Sequence, residues 1–343
     1  MLPPKVRTYP LLRPLSWLYA TVMQVRNNRF DNGKLPTESV ARPIISVGNI
    51  SVGGTGKTPM CAYLLGLLQH NGMAPALLSR GYGRKSKGYH IATPYSTAAD
   101  VGDEPREIYR MFEGRIPVCV CEDRRKGARQ LLTDMPKVHT IVLDDAYQHR
   151  YIHRDLNILL TDFHRLYTRD CVLPEGMLRE RSSGANRADI IVVTKCPPML
   201  SPSEAETIRC EIAPLPHQHV FFTSITYAPL TLQGKRTLLF TGIAKPEPLA
   251  DHLRSQGAEL DILRFADHHA FTPSDLDLIV KRSHEADLVV TTAKDYSRLP
   301  QQLIDALAPK LAVQHISVNF LFGQYKEFNH LIINAANGAN IAT

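Results

Sequence analysis

The stretch Ile44-Ile-Ser-Val-Gly-Asn-Ile-Ser-Val-Gly-Gly-Thr-Gly-Lys-Thr58 decides the fold of this 343-residue chain. A short apolar, β-branched run leads into a glycine-rich segment, and Gly56-Lys57-Thr58 opens a helical pattern that continues to Leu65. Strand, phosphate loop and helix therefore follow in order. Glycines free backbone N–H groups to wrap phosphate oxygens, and a helix N-terminus favours their charge. The nucleotide-binding set is Ser51, Val52, Gly53, Gly54, Thr55, Gly56, Lys57 and Thr58, with Lys57 reaching the terminal phosphates and Thr58 placed to ligate magnesium. The strict GxxxxGK[ST] pattern asks for glycine at position 51, where this chain has Ser51. A glycine-rich turn without a ligand is the competing reading, and the flanking strand and helix weigh against it.

Working outward, Val138-His-Thr-Ile-Val-Leu-Asp144-Asp145 is an apolar strand ending in two carboxylates, a Walker B arrangement. In phosphate-loop enzymes an aspartate there helps hold the magnesium bridging the β and γ phosphates. Asp144 and Asp145 join Thr58 as metal candidates, although apolar strands ending in aspartate also start ordinary turns. The run Val193-Thr-Lys195-Cys-Pro197 is similar to the guanine reader [NT]KxD but has Pro197 where aspartate is needed, so guanine specificity is unsupported.

Short apolar runs alternate with helical patterns, the signature of an α/β, doubly wound, mostly parallel sheet of P-loop NTPase type. Strands are expected at 43–47, 76–79, 118–121, 140–143, 157–161 and 190–194, and helices at 57–71, 104–112, 124–133 and 203–212. The Pro- and Ser-flanked segment 201–216 is expected to carry the chain out of this sheet. A second α/β rhythm follows, with strands at 237–241 and 287–292 and a helix at 248–256. The expected organisation is an N-terminal amphipathic, membrane-associating helix (1–30), a P-loop core domain (31–228) and a smaller α/β domain (229–343). The tail 334–343 is small and polar and is expected to fray.

A content of 44% hydrophobic and 21% charged residues excludes a disordered chain, and the net charge of +7 favours an acidic partner. Phosphorylated substrate, anionic membrane and nucleic acid all qualify on charge. No run interleaves basic residues with aromatics outside the N-terminal helix, so no nucleic-acid partner is expected, and no obligate protein partner is evident. The six cysteines show neither a CxxC pair nor zinc spacing, which points to a reducing compartment. Cys119 and Cys121 share one face of an expected strand, as inert core thiols. The apolar patch Leu15-Ser-Trp-Leu-Tyr-Ala-Thr-Val-Met23 is too short to span a bilayer and no cleavage site follows it. Flanked by Lys5, Arg7, Arg13, Arg26 and Arg29, it suits an anionic membrane interface, with plain packing on the domain as the alternative.

Several further blocks occur in order: Ser79-Arg-Gly-Tyr-Gly-Arg84, Val101-Gly-Asp-Glu-Pro105, Leu143-Asp-Asp-Ala-Tyr-Gln-His149, Leu173-Pro-Glu-Gly-Met-Leu-Arg-Glu180, Arg187-Ala-Asp189, Phe265-Ala-Asp-His-His269 and Thr291-Thr-Ala-Lys-Asp295. With the phosphate loop, they make nearly the whole chain resemble the tetraacyldisaccharide 4'-kinase family. That resemblance implies transfer of the ATP γ-phosphate to the 4'-hydroxyl of a tetraacylated disaccharide 1-phosphate in lipid A biosynthesis, with Mg2+. It also implies peripheral location at the cytoplasmic face of the inner membrane, on an anionic surface.

Carried over residue by residue, the resemblance places the catalytic carboxylate on Asp103 and its histidine partner on His268, beside Lys57. Glu104 becomes an additional metal candidate, and Gln148, His149, Arg179 and Glu180 candidates for sugar or phosphate contacts. Arg80, with Arg84, Lys85 and Lys87, flanks a glycine-rich loop and is placed to grip the acceptor's phosphate, solvated surface charge being the alternative. Asp103 also suits a helix N-cap. The two domains are expected to close over substrate, bringing Asp103 and His268 together. Departures from the family pattern are Ala146-Tyr147 for Gly-Phe, Arg181 for Pro, and Glu175 for a small residue, the last read as a sign of a different acyl pattern or headgroup. A membrane-peripheral nucleotide switch without a lipid acceptor is the rival function.

Overall fold

The computed structural model describes residues 2–4, 6–267 and 269–339. Lys5 and His268 lie outside the described residues, as does the end of the tail from 340 to 343.

In chain order the large unit contains α1 (Arg13–Asp31), β1 (Ile44–Gly48), α2 (Lys57–His70), β2 (Pro75–Ser79), β3 (His90–Ile91), α3 (Ala98–Val101), α4 (Asp103–Met111), β4 (Val118–Val120), α5 (Arg124–Asp134), β5 (Thr140–Asp144), β6 (Leu156–Asp162), β7 (Ile190–Thr194), α6 (Pro202–Ile212) and β8 (His219–Tyr227). The smaller unit contains β9 (Arg236–Thr241), α7 (Glu247–Ser255), β10 (Glu259–Arg264), α8 (Pro273–Ser283), β11 (Leu288–Thr292), α9 (Ala293–Arg298), α10 (Gln301–Leu307) and β12 (Leu311–Gln314). The chain ends in β13 (Ile316–Phe320) and α11 (Tyr325–Ala336).

The large sheet has nine strands in the order β13-β8-β7-β6-β1-β5-β2-β4-β3. Its seven inner strands are parallel, while β3 and β13 run antiparallel at the two edges. β1 is central, between β5 and β6, and fully buried, which is why it reads as a continuous apolar run. One face packs Leu64, Leu65 and Leu68 of α2, Ile108 of α4 and Phe328 and Ile332 of α11 against Val47, Val142 and Ile158. The opposite face carries two further clusters, around Tyr147, Phe163 and Phe222 and around Leu78, Leu131 and Leu143. The smaller sheet, β10-β9-β11-β12, is parallel throughout and is also covered on both faces.

The expected strands and the helices from Lys57 onward form, with boundaries displaced by a residue or two at most, whereas the N-terminal helix expected over 1–30 is helical only from Arg13 to Asp31, after a 3-10 turn at Pro10–Leu12. All six cysteines are free, and Cys119 and Cys121 are buried in one cluster, with burial pushing the Cys119 thiol up to about 11. Two expectations about organisation change. The segment after α6 does not leave the sheet: β8 returns to it, pairing parallel with β7. The chain also comes back after the small sheet, where β13 pairs antiparallel with β8 and α11 packs on the large core, so residues after Gln314 belong with the large sheet. Local patterning misses this because a strand pairing nearly 100 positions away leaves no local trace. The tail expected to fray from Asn334 is helical to Ala336, since Ala335 and Ala336 are buried against that core.

Candidate active site

The phosphate loop emerges at the C-terminal end of β1, where open parallel sheets place their ligands. Its entry is anchored laterally: Ser51 is bridged to Leu178, Val52 N donates to Met177 O at 2.8 Å, and Arg179 N donates to Ile50 O at 2.7 Å. Positive φ is required at Gly53 (108°) and Gly56 (86°), not at position 51, so Ser51 is compatible with the loop and the departure from the strict motif has no steric cost. The far side of the loop is held from β7. Thr194 Oγ1 donates to Thr55 O at 2.9 Å, and Lys195 Nζ donates to Gly54 O and pairs with Asp162 at 2.7 Å. Tying down consecutive carbonyls turns the loop's oxygens away from the space an anion would fill, as a nest of N–H groups requires. Lys195 adopts φ 56°, an uncommon conformation for a non-glycine residue, to do so. The motif that failed as a guanine reader is thus a loop brace.

β5 delivers Asp144 and Asp145 beside this loop because it pairs with β1 in register, Val47 opposite Asp144. Asp144 is buried, accepts from Ser79 Oγ at 2.9 Å, and has Cys61 Sγ 3.8 Å away. Burial first, then the neighbouring Asp145, pushes its pKa up, with Lys57 and Ser79 opposing and the charge of Glu104 adding to the rise. Asp145 takes φ 46°, which turns it out of the strand line toward cations. Lys57 Nζ lies 3.6 Å and Arg179 Nη1 3.1 Å from its carboxylate. Burial works against ionisation there, but Lys57 and then Arg179 outweigh it and hold the carboxyl below its usual range. Hard oxygen donors, two adjacent carboxylates and the Thr58 hydroxyl, fit magnesium, which uses one or two carboxylates and completes its shell with phosphates and water. Among the described residues no group of three or more His, Cys, Asp or Glu side chains is placed to hold a metal ion together.

Asp103 is the first residue of α4 and Gly102, at φ 91°, is its cap, so Asp103 is not the N-cap. A Cβ at Gly102 would come within 3.0 Å of Gly81 Cα and Tyr82 O, so the close approach of the two loops demands glycine and fixes where α4 starts. On the opposite side α4 packs against α9 of the smaller unit: Arg110 Nη1 donates to Tyr296 O at 2.5 Å, and Arg298 Nη1 lies 3.9 Å from Asp103 Oδ2. The predicted partner His268 lies outside the described residues. Sequence reasoning missed Arg298 and the Lys195 brace; the spacing of three between Asp295 and Arg298 was the available signal for the former.

The expected acceptor-binding residues separate into two groups. Arg80, Lys85 and Lys87 are exposed, whereas Arg84 is committed, 3% exposed, to Glu122 at 2.7 Å and to Gly88 O, and is not available to grip phosphate. Glu180, 1% exposed, accepts from Asn27 Nδ2 at 2.8 Å, Gln148 Nε2 at 3.0 Å and Arg187 Nη2 at 2.8 Å, and so acts as a brace between α1 and the β5 loop. Gln148 also donates to Asn49 O at 2.9 Å. Burial, reinforced by Arg124, lowers the His149 pKa to about 4, so its imidazole is neutral at pH 7. Glu175 is explained without reference to acyl chains: its carboxylate takes Arg13 Nη2 at 2.9 Å and its N–H donates to Ser16 Oγ at 2.7 Å, seating α1. Tyr147 is buried and donates to Gly184 O at 2.8 Å, and Arg181 at φ −60° occupies a conformation that proline also adopts.

A phosphate loop on a central parallel strand, its lysine set against a Walker B carboxylate, defines a P-loop nucleotide-utilising enzyme. The family profile of LpxK, tetraacyldisaccharide-1-P 4'-kinase, matches residues 8–337. The tetraacyldisaccharide 4'-kinase of Bacteroides fragilis strain YCH46 is 42% identical over 363 residues, covering 97% of this chain and 96% of the relative. That of Bacteroides thetaiotaomicron is 40% identical, covering 96% and 93%. A crystal structure of LpxK from Aquifex aeolicus in complex with ATP matches with a TM-score of 0.75 and 28% identity, covering 95% of this chain and 98% of that one. The chain belongs to the tetraacyldisaccharide 4'-kinase family, and the resemblance seen in its sequence blocks holds across its length.

Proposed function

We propose that this kinase transfers the γ-phosphoryl group of ATP to the 4'-hydroxyl of a tetraacylated disaccharide 1-phosphate, a lipid A precursor. The observation that carries the reading is the junction of Lys57 with Asp145, 3.6 Å apart, at the mouth of the phosphate loop. Lys57 neutralises the terminal phosphates while the loop, braced by Thr194 and Lys195, holds the triphosphate in line. Magnesium, when bound by Asp144, Asp145 and Thr58 with Glu104 in reserve, supplies further neutralisation of phosphate oxygens. Asp103 accepts the proton of the sugar hydroxyl as the new O–P bond forms and the bond to the β–γ bridging oxygen breaks, releasing ADP. His268 orients or polarises Asp103. Arg80, His149 and Arg179 meet the acceptor, with Gln148 and Glu180 keeping that wall in place.

The acceptor's acyl chains call for a membrane. No helix among the described residues is long and apolar enough to cross one. α1 instead exposes Leu15, Trp17, Leu18, Val22 and Val25, with Trp17 68% exposed. Together with the exposed Arg7 and Arg29 this face suits peripheral docking on the anionic cytoplasmic surface of the inner membrane, whereas Arg26, expected among the flanking cations, turns inward and donates to Gln148 O at 2.9 Å. Kinetics of Asp103→Asn test the reading: lipid phosphorylation should fall by roughly 10²–10⁴-fold with ATP affinity retained. Full lipid phosphorylation by this variant would contradict the assigned base, and ATP turnover without any lipid product would favour a nucleotide switch.

A further inference from the structure

One buried cation has no role in the chemistry above. Arg298, the last residue of α9, is 6% exposed at its side chain. Its Nη2 donates to Asp295 Oδ1 and, at 3.3 Å, to Gly242 O. Asp295 is itself immobilised, accepting from Thr241 Oγ1 and Thr292 Oγ1, both at 2.7 Å, and from Gly242 N at 3.1 Å. The planar fork therefore has a fixed direction. Its other side faces across the junction, with Nη1 3.9 Å from Asp103 Oδ2, and neither Nη1 nor Nε has a hydrogen-bond partner among the described residues. A guanidinium serving only to neutralise Asp295 would not need its buried Nη1 set beside a second carboxylate.

The same face of α4 is seated on α9 by a second arginine. Arg110 donates to Tyr296 O and its guanidinium lies 5.0 Å from the Tyr296 ring centroid. Glu107, one helical turn beyond Asp103, lies within the field of Lys294, Asp295 and Arg298. The seam is thus a charged, organised contact between the two sheets' helices.

We propose that Arg298 is a positioning residue for Asp103: docking of α9 on α4 presents a guanidinium, locked by Asp295, that orients the carboxylate receiving the acceptor's proton. At 3.9 Å the contact is an ion pair without a hydrogen bond, so Arg298 draws the carboxylate without itself occupying a lone pair. The block ending in Asp295 then has a function at the far side of the site, and the seating of the smaller unit sets the readiness of the base. The inference rests on Asp103 acting as the base.

The test is steady-state kinetics on the full-length chain with Arg298→Met and Arg298→Lys, together with ATP affinity, thermal midpoint and rescue by added guanidinium ion. Misplacement of the base predicts a fall in kcat of roughly 10²-fold for Arg298→Met. ATP affinity should be unchanged, kcat partly restored by guanidinium, and Arg298→Lys should be intermediate because charge remains but the fork is lost. A kcat within about threefold of the parent, or parallel loss of kcat, ATP affinity and thermal midpoint without guanidinium rescue, overturns the proposal. Where Arg298→Met does not fold, Arg298→Lys decides: reduced kcat at an unchanged thermal midpoint supports positioning, and unchanged kcat overturns it. Asp103→Asn separates the two readings. If it abolishes transfer while the Arg298 variants do not, only the positioning role fails; if it retains transfer, the base assignment fails and the positioning role with it.

Discussion

Replacing Glu180 by alanine removes the acceptor shared by Asn27 of α1, Gln148 of the β5 loop and Arg187. The Arg187 side chain is 17% exposed and that of Glu180 2%, so the deletion strands a largely desolvated guanidinium. Breaking a buried pair from one side costs about 3–5 kcal/mol. The residual exposure of Arg187 and its seat on the Tyr147 ring, 5.0 Å away, place the expected loss near the lower end, about 3 kcal/mol. Against a total stability of about 5–15 kcal/mol this is a large fraction. Glu180→Gln keeps the shape and one acceptor oxygen, and should lose about 1–2 kcal/mol. The assay is urea unfolding with hydrogen exchange on β5 to β7, so that the transition of the large sheet is read separately from the smaller one. A coupling of about 1–3 kcal/mol between Glu180→Ala and Arg187→Met should appear in the double-mutant cycle. A Glu180→Ala loss below about 1 kcal/mol, with no coupling, would refute the brace.

Lys195→Ala frees one carbonyl of the phosphate loop and should weaken ATP binding by roughly three- to tenfold, about 1 kcal/mol, as measured by calorimetry; unchanged affinity would remove Lys195 from the account of the loop. Burial, with Glu104 second, pushes Glu107 up to about 8. Its folded form therefore holds a proton that the unfolded chain has released, and its contribution to stability is present below the ordinary carboxylate range and lost as pH rises toward 8. Glu107→Gln should match the parent at pH 4 and exceed it in thermal midpoint at pH 9; equal midpoints at both would show that Glu107 is not held protonated. His149 behaves oppositely: with its pKa lowered to about 4, stability falls as pH drops through the window from 6.5 to 4, and His149→Gln should flatten that slope in acid titration of the unfolding midpoint. Trp17→Ala with Leu18→Ala should reduce cosedimentation with anionic vesicles while leaving ATP affinity intact; undiminished cosedimentation would place the docking surface elsewhere.

What was legible in the sequence was local in origin. β1, the phosphate loop and α2 announce themselves because glycine, lysine and apolar periodicity are contiguous, and β5 ends in its carboxylates by the same logic. Positions requiring positive φ, Gly53 and Gly56, were already glycine, whereas the apparent defect at Ser51 vanishes once its backbone is seen bridged to Leu178. What was not legible depends on distance in the chain. β13 joins β8 across the whole smaller unit, Glu175 reaches back to Arg13, and Arg298 meets Asp103 from another sheet. Arg84 looked like a free cation because nothing local reveals that Glu122 claims it. Motif reading located the donor end of the chemistry; packing revealed which side chains hold it still.

The most direct measurement is incubation of the purified chain with γ-labelled ATP, magnesium and a tetraacylated disaccharide 1-phosphate in mixed micelles, followed by separation of the lipid and location of the new phosphate. The structure and family membership predict label on the 4'-position, accumulating in proportion to ADP. Under conditions where ATP is demonstrably bound, a lipid that remains unlabelled, or one labelled at another position, would contradict the account.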